Sequence, residues 1–300
     1  MIDPDFDSLN LIWRIFTIIF PLILIISIGY WYGRLYKPDM RLTNQVNLDV
    51  FIPVLILDVM LSSNFVPSDY LALSFLGLLI VLGSGLLAYP FARLMNYQWK
   101  TFVPPMMFIN SGNLGLPLIL FAFGKQAMPA AIVLFTIENL LHFTLGLKMM
   151  DHRAHWFSLL KKPIVIAAFV GVLFSQINYQ IPQLIEVPMH MMGQVSIPLL
   201  LFALGVRLIE IDFSTWKIGL ISAVFCPLSG LLMAWLGLNF ISLPPQQLPV
   251  LILFSILPPA VLNFVIAERY QQEPHLVASL VLISNLGSLV VVPVTLWFVL

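Results

Sequence analysis

The apolar stretch 101–124 is long enough to cross a membrane, yet its middle reads Asn110-Ser111-Gly112-Asn113-Leu114-Gly115-Leu116-Pro117. A continuous spanning helix is poorly served by that octapeptide. Gly112 and Gly115 weaken it, while Pro117 lacks an N–H and pushes Leu116 away from the helical region. Hydrocarbon offers no water to an unpaired backbone group, so the freed groups must face protein or a wet cavity. A second stretch, 248–269, is interrupted by Ile256-Leu257-Pro258-Pro259-Ala260-Val261-Leu262-Asn263. Whatever fold the chain adopts has to house two broken membrane segments, one in each half.

Composition agrees with a membrane-embedded chain. Of 300 residues, 60% are hydrophobic and 9% charged, against roughly 25% charged in soluble domains. Net charge is zero with no basic run, which argues against nucleic acid as a partner. The single cysteine, Cys226, excludes an internal disulfide. The acidic start, Asp3-Pro4-Asp5-Phe6-Asp7, lacks the basic residues of a signal peptide, so the first apolar stretch is expected to remain as a span.

Hydropathy predicts an all-α polytopic membrane protein with ten transmembrane helices: 11–32, 44–62, 71–95, 101–124, 127–149, 163–178, 188–208, 214–240, 248–269 and 274–299. The longest polar connection, 150–162, carries Asp151, Arg153, Lys161 and Lys162 and falls at the midpoint. A weak repeat relates the halves. Pro53-Val54-Leu55-Ile56 matches Pro198-Leu199-Leu200-Leu201 at an offset of 145, Pro105 matches Pro249 at 144, Ile137-Glu138-Asn139 matches Ile283-Ser284-Asn285 at 146, and Asn110 falls opposite Ser255 at 145. Five spans per half is an odd number, so residues 151–300 must enter the membrane upside down relative to 1–150. The expected architecture is two inverted five-helix repeats.

Basic residues test that count independently. Connections after spans 1, 3, 5, 7 and 9 hold twelve of the fourteen lysines and arginines, leaving Arg14 and Lys125 on the other side. The positive-inside rule then puts both termini on the periplasmic side of a bacterial inner membrane. Two broken helices at corresponding places in inverted repeats are the pattern of secondary-transporter substrate sites.

The span 4 octapeptide is similar to the signature of the auxin efflux carrier family, whose plant branch comprises the PIN auxin exporters. Pro258-Pro259-Ala260-Val261-Leu262-Asn263, followed by Ala267-Glu268-Arg269-Tyr270, resembles that family's span 9. One departure is the Pro258-Pro259 pair, where the family usually has one proline and a small polar residue. The absence of a long central loop makes the chain look like a bacterial member. The resemblance implies a fold similar to the sodium/bile-acid symporters and sodium/proton antiporters, with spans 4 and 9 crossing at mid-membrane. Spans 1, 2, 6 and 7 would form a scaffold, and spans 3–5 and 8–10 a moving transport domain. It also implies export or exchange of organic anions.

Physically, Leu116-Pro117 and Pro259-Ala260 are expected to open new half-helices whose N-termini each carry roughly half a positive charge. Facing each other, they would attract a carboxylate with no lysine or arginine in either break. Asn113 and Asn263 are the expected side-chain contacts, since an amide offers two donors. Asn110 and Ser111 could instead satisfy broken backbone. Two buried acids stand out: Asp58 in span 2, and Glu138 in span 5 with His142 four residues on, so on the same helix face. Either acid could carry a coupling proton, or serve as a plain hydrogen-bonded pair between helices. Gly29 and Gly33 form a small-xxx-small face suited to helix packing or to a homodimer. No metalloprotease helix, nucleophile elbow or phosphate loop is present, and neither cofactor nor metal is expected. The rival readings are a sodium-coupled bile-acid-type symporter, a non-transporting receptor and an intramembrane enzyme built on Glu138 and His142.

Overall fold

The computed structural model describes residues 4–62, 65–151, 162–177, 181–210 and 213–300. Arg153 and Lys161 of the basic-residue split lie outside them. The first half contains α1 (Pro4–Tyr36), α2 (Arg41–Val46), α3 (Ile52–Ser62), α4 (Leu71–Leu94), α5 (Trp99–Met107), α6 (Leu116–Phe123), α7 (Met128–Leu141) and α8 (Leu147–Met150). The second contains α9 (Pro163–Gln176), α10 (Gln183–Arg207), α11 (Trp216–Leu238), α12 (Leu248–Ser255), α13 (Val261–Tyr270) and α14 (Pro274–Val299). Among the described residues the only β-type pairing is a single bridge, Ile109 with Pro259.

Among the described residues, seven stretches are long and apolar enough to cross a membrane: Leu9–Tyr36, Arg41–Leu61, Pro67–Leu94, Lys125–Met150, Gln183–Arg207, Trp216–Leu238 and Pro274–Val299. The expectation of ten membrane-length helices therefore holds in part. Spans 4 and 9 are each two short helices, and α9 has only 14 residues. Proline accounts for the breaks. Pro104 and Pro105 sit in the last turns of α5, which ends at Met107, and Pro258 and Pro259 follow the end of α12. Each missing N–H removes a helical bond, and each ring pushes its predecessor towards extended geometry. Three segments also contain a wide turn closed by i→i+5 bonds: Asn47–Phe51 between α2 and α3, Ser111–Gly115 before α6, and His142–Gly146 between α7 and α8.

The helices pack in two sets. In one, α1 lies along α10, and α3 packs on both α9 and α10. In the other, α4 packs on α5, α7 and α11, and α11 on α14. Glycine permits the closest approaches. A Cβ on Gly29 would stand 2.2 Å from the Phe202 carbonyl oxygen, and one on Gly205 would stand 2.0 Å from that of Ile26. Gly29 and Gly33 thus seat α1 on α10 within the chain, so this small-residue face is not free to receive a second copy. Gly230 does the same for the second break: its Cβ would lie 1.9 Å from the Ser255 carbonyl at the end of α12.

Candidate functional site

The extended residues between α5 and α6 run antiparallel to those between α12 and α13. Asn110 N–H donates to the Pro258 carbonyl at 2.7 Å, and Ala260 N–H donates to the Phe108 carbonyl at 2.8 Å. The two bonds exchange under a local two-fold that relates residues 150 apart, as Ile109 and Pro259 are. The pairing thus sets Asn110 against Pro258 and Phe108 against Ala260. The pairing also explains why two prolines fit here. It requires only the oxygen of residue 258 and the N–H of residue 260, so neither missing donor is needed.

Side-chain amides brace the crossing. Asn263 Nδ2 donates to the Phe108 carbonyl at 2.8 Å and to the Ala260 carbonyl at 3.0 Å. Asn285 of α14 donates to the Pro259 carbonyl at 3.0 Å, and its Oδ1 accepts from Asn110 Nδ2 at 2.7 Å. Its repeat mate Asn139 keeps the same local habit, bonding the carbonyl four residues back as Asn285 does (2.9 and 2.8 Å). Asn285 entered the sequence reading only as a repeat match. An intramembrane asparagine was the signal available for giving it a role.

The half-helix in the first break starts at Ser111, not at Pro117. The Asn110 carbonyl accepts from both Leu114 N–H (3.3 Å) and Gly115 N–H (3.0 Å), which closes the wide turn. Pro117 lies in the next turn, buried, and its ring disfavours the tighter bond that an α-turn would form. In the second break α13 opens at Val261 behind Ala260, one to two residues after the expected Pro259-Ala260 start. The leading amides belong to Gly112 and Asn113 in one case and to Val261 and Leu262 in the other.

Both half-helix starts border a cavity of about 410 Å³. All three wide turns contribute to its wall: Asn47, Leu48 and Asp49; Ser111, Gly112 and Asn113; His142 and Phe143. Arg41, Lys162 and Arg207 line it as well, from the start of α2, the start of α9 and the end of α10. Outside the spans, Asp39 grips Arg41 through bonds of 2.7–3.0 Å, and that guanidinium holds the Asp39 carboxyl down at about 2. Asn113 is half-buried on the wall, and among the described residues no hydrogen bond engages its amide.

Six of the expected residues meet at this cavity: Asn110, Ser111, Gly112, Asn113, Glu138 and His142. Glu138 Oε2 accepts from Ser111 Oγ at 2.8 Å and from Asn139 Nδ2 at 3.1 Å, so the buried acid is wired to the first residue of the half-helix. His142 Nδ1 lies 3.4 Å from Glu138 Oε1, its ring stacks on Phe108 at 4.2 Å, and its Nε2 is buried with no partner among the described residues. The others sit elsewhere. Gly115 lies against the Leu257 side chain, Pro258 and Pro259 carry the backbone pairing, and Asn263 is 3% exposed and off the cavity wall. Asp58 is also off the wall, 2.8 Å from His190 Nδ1.

Known proteins give the same class. Residues 152–296, which hold the second of the two motifs, match the family described as membrane transport protein. An uncharacterized transporter of Methanocaldococcus jannaschii is 25% identical, over 93% of this chain and 96% of its own. An uncharacterized transporter of Methanothermobacter thermautotrophicus is 27% identical, over 89% and 91%. These are names of transporters, not of enzymes. An integral membrane transporter is what sequence, helices and relatives agree on.

Proposed function

We propose that this membrane transporter moves a small organic anion, with a carboxylate held between Asn113 and the amides that open the half-helix at Ser111. One observation carries the reading. A helix N-terminus and an asparagine amide with no hydrogen bond among the described residues border a cavity of about 410 Å³ that Arg41, Lys162 and Arg207 also line. The helix terminus supplies about 0.3–2 kcal/mol, and a hydrogen bond to a charged ligand adds about 1.5–3 kcal/mol. A sum of a few kcal/mol gives the weak, releasable binding that a carrier needs in order to unload.

The reciprocal bonds at the crossing support two inverted repeats of five spans each, and the two packing sets support a scaffold of spans 1, 2, 6 and 7 beside a transport domain of the rest. The cavity borders three of the basic residues assigned to the cytoplasm, which supports reading this as an inward-open form with both termini periplasmic. Glu138, bonded to Ser111, is the better placed of the two acids to couple a proton to substrate. Around span 9 the sodium-coupled alternative is left with Asn263 Oδ1, buried with no hydrogen-bond partner among the described residues, and with backbone carbonyls. Ser255 Oγ donates to its own helix at 2.8 Å, and both Asn263 bonds go to backbone.

Flux of malonate, malate and an indole acid, measured in proteoliposomes with and without sodium and a pH gradient, tests this reading. Sodium-independent flux of at least one, abolished by Asn113→Asp, is the expected result. A strict sodium requirement, or unchanged binding by Asn113→Asp at neutral pH, would sink it.

A further inference from the structure

At the end of the molecule away from the cavity, His190 of α10 meets partners from two sides. Its Nδ1 lies 2.8 Å from Asp58 Oδ2 on α3. Its Nε2 lies 2.6 Å from Gln194 Nε2, one turn along α10, and 3.3 Å from Lys125 Nζ in the connection from α6 to α7. A lysine ammonium can only donate, so a bond from Lys125 makes Nε2 the acceptor and leaves the ring proton on Nδ1, facing Asp58.

The position of this cluster gives it meaning. Lys125 lies at the far end of the α6–α7 hairpin, whose near end carries Ser111, Glu138 and His142 on the cavity. His190 comes ten residues before Leu200, which lines the cavity, a distance of about 15 Å along a helix. Asp58 and His190 belong to the α3–α10 packing set, Lys125 to the hairpin. For the cavity to open on this side, the hairpin must part from α3 and α10, and the Lys125–His190 contact must break.

We propose that Lys125, His190 and Asp58 form a latch that closes the face opposite the cavity and is released by acid on that face. The inference rests on the alternating-access reading above. A proton added at Nε2 turns that atom from acceptor to donor. Gln194 can rotate its amide to offer an oxygen, but Lys125 has no acceptor to offer, and two cations then face each other. Asp58, on α3, still accepts from Nδ1, so the histidine stays on its own side while the hairpin is let go. Glu186, one turn earlier on α10, is the other charged residue on this helix face.

The test uses the full chain in nanodiscs with nitroxide labels at Gln126 and Leu184, both exposed, Cys226 being buried and the chain's only cysteine. Spin–spin distances at about pH 8 and about pH 5.5 bracket the histidine range. The longer-distance population should rise about threefold at acid pH, the scale of an exposed ion pair. His190→Gln keeps a donor for Asp58 and an acceptor for Lys125 without a titrating proton, and should give the same distribution at both pH values. Lys125→Met should raise the long-distance population at both. An unresponsive parent, a full pH response in His190→Gln, or a Lys125→Met no more open than the parent would each overturn the latch. A second population that ignores pH overturns the latch alone; no second population in any variant overturns the alternating-access reading with it.

Discussion

At 108–113 and at 258–263 the chain makes the same backbone move twice, ending a helix, running extended for three residues and starting again. Each run lends the other one N–H and takes one carbonyl. Beyond the backbone the two diverge. After the first run come Ser111, Gly112 and Asn113, all on the cavity wall, with no hydrogen bond to the Asn113 amide among the described residues. After the second come Val261 and Leu262, which line the cavity with aliphatic surface, and Asn263, which turns inward and bonds Phe108. Equal geometry has been given unequal chemistry. The first break presents polar groups to a ligand, and the second holds the first in place.

That division can be broken by substitution, and the largest effect should fall on the supporting side. Gly230→Ala drives a methyl into the Ser255 carbonyl, a backbone atom that cannot step aside, and should cost about 3 kcal/mol or more, seen as a sharp fall in Tm in detergent. Gly112→Ala meets only the edge of the Phe135 ring at 3.1 Å and should leave Tm within a few degrees. Equal losses in the two variants would mean that the breaks do not divide support from binding.

The asparagine pair sharpens the same contrast. Asn263→Ala strips the Phe108 and Ala260 carbonyls of one partner each and should lower stability by about 1–3 kcal/mol. Asn113→Ala should leave thermal unfolding unchanged and weaken carboxylate binding about tenfold, or ~1.4 kcal/mol. Calorimetry and ligand titration on both variants decide it. Weaker binding by Asn263→Ala with unchanged Tm would restore Asn263 as a ligand.

The smallest effect concerns protons. Glu138→Gln keeps an acceptor for Ser111 but cannot ionise. In the His190→Gln background, where the latch no longer responds to acid, it should leave anion exchange within about twofold, a change of well under 1 kcal/mol, and flatten the remaining dependence on a pH gradient. Asp58→Asn, which acts away from the cavity, should not flatten it. A pH response intact in both and in the double variant would remove proton coupling from either acid.

Much of this was legible in the residues. Glycine, asparagine and proline inside apolar stretches announced both breaks, because few other structures tolerate those residues in hydrocarbon. What sequence could not resolve was where released backbone groups find partners. Pro117 looked like a helix start because proline favours the first turn, but the i→i+5 bonds to Asn110 moved the start to Ser111. Asn113 and Asn263 looked equivalent, and only the packing of Asn263 on Phe108 separates them. The wide turns at 47–51 and 142–146 left no mark in hydropathy, so Asn47, Arg41 and Arg207 went unnoticed as cavity residues. Asp58 was recognised as a costly buried acid, but its partner His190 lies 132 positions away in the chain.

The wide turns carry one more consequence, and it concerns how such carriers diversify. A turn closed at i→i+5 holds one residue more than an α-helix needs, so a single deletion can collapse it to regular helix. Every residue beyond the deletion would then rotate by about 100° and retreat by ~1.5 Å. In this chain all three wide turns contribute to the cavity wall, whereas the backbone bonds of the crossing lie apart from the turns at 47–51 and 142–146. Substrate range could therefore change through gain or loss of one codon at 47–51 or 142–146, with no point substitution at the crossing.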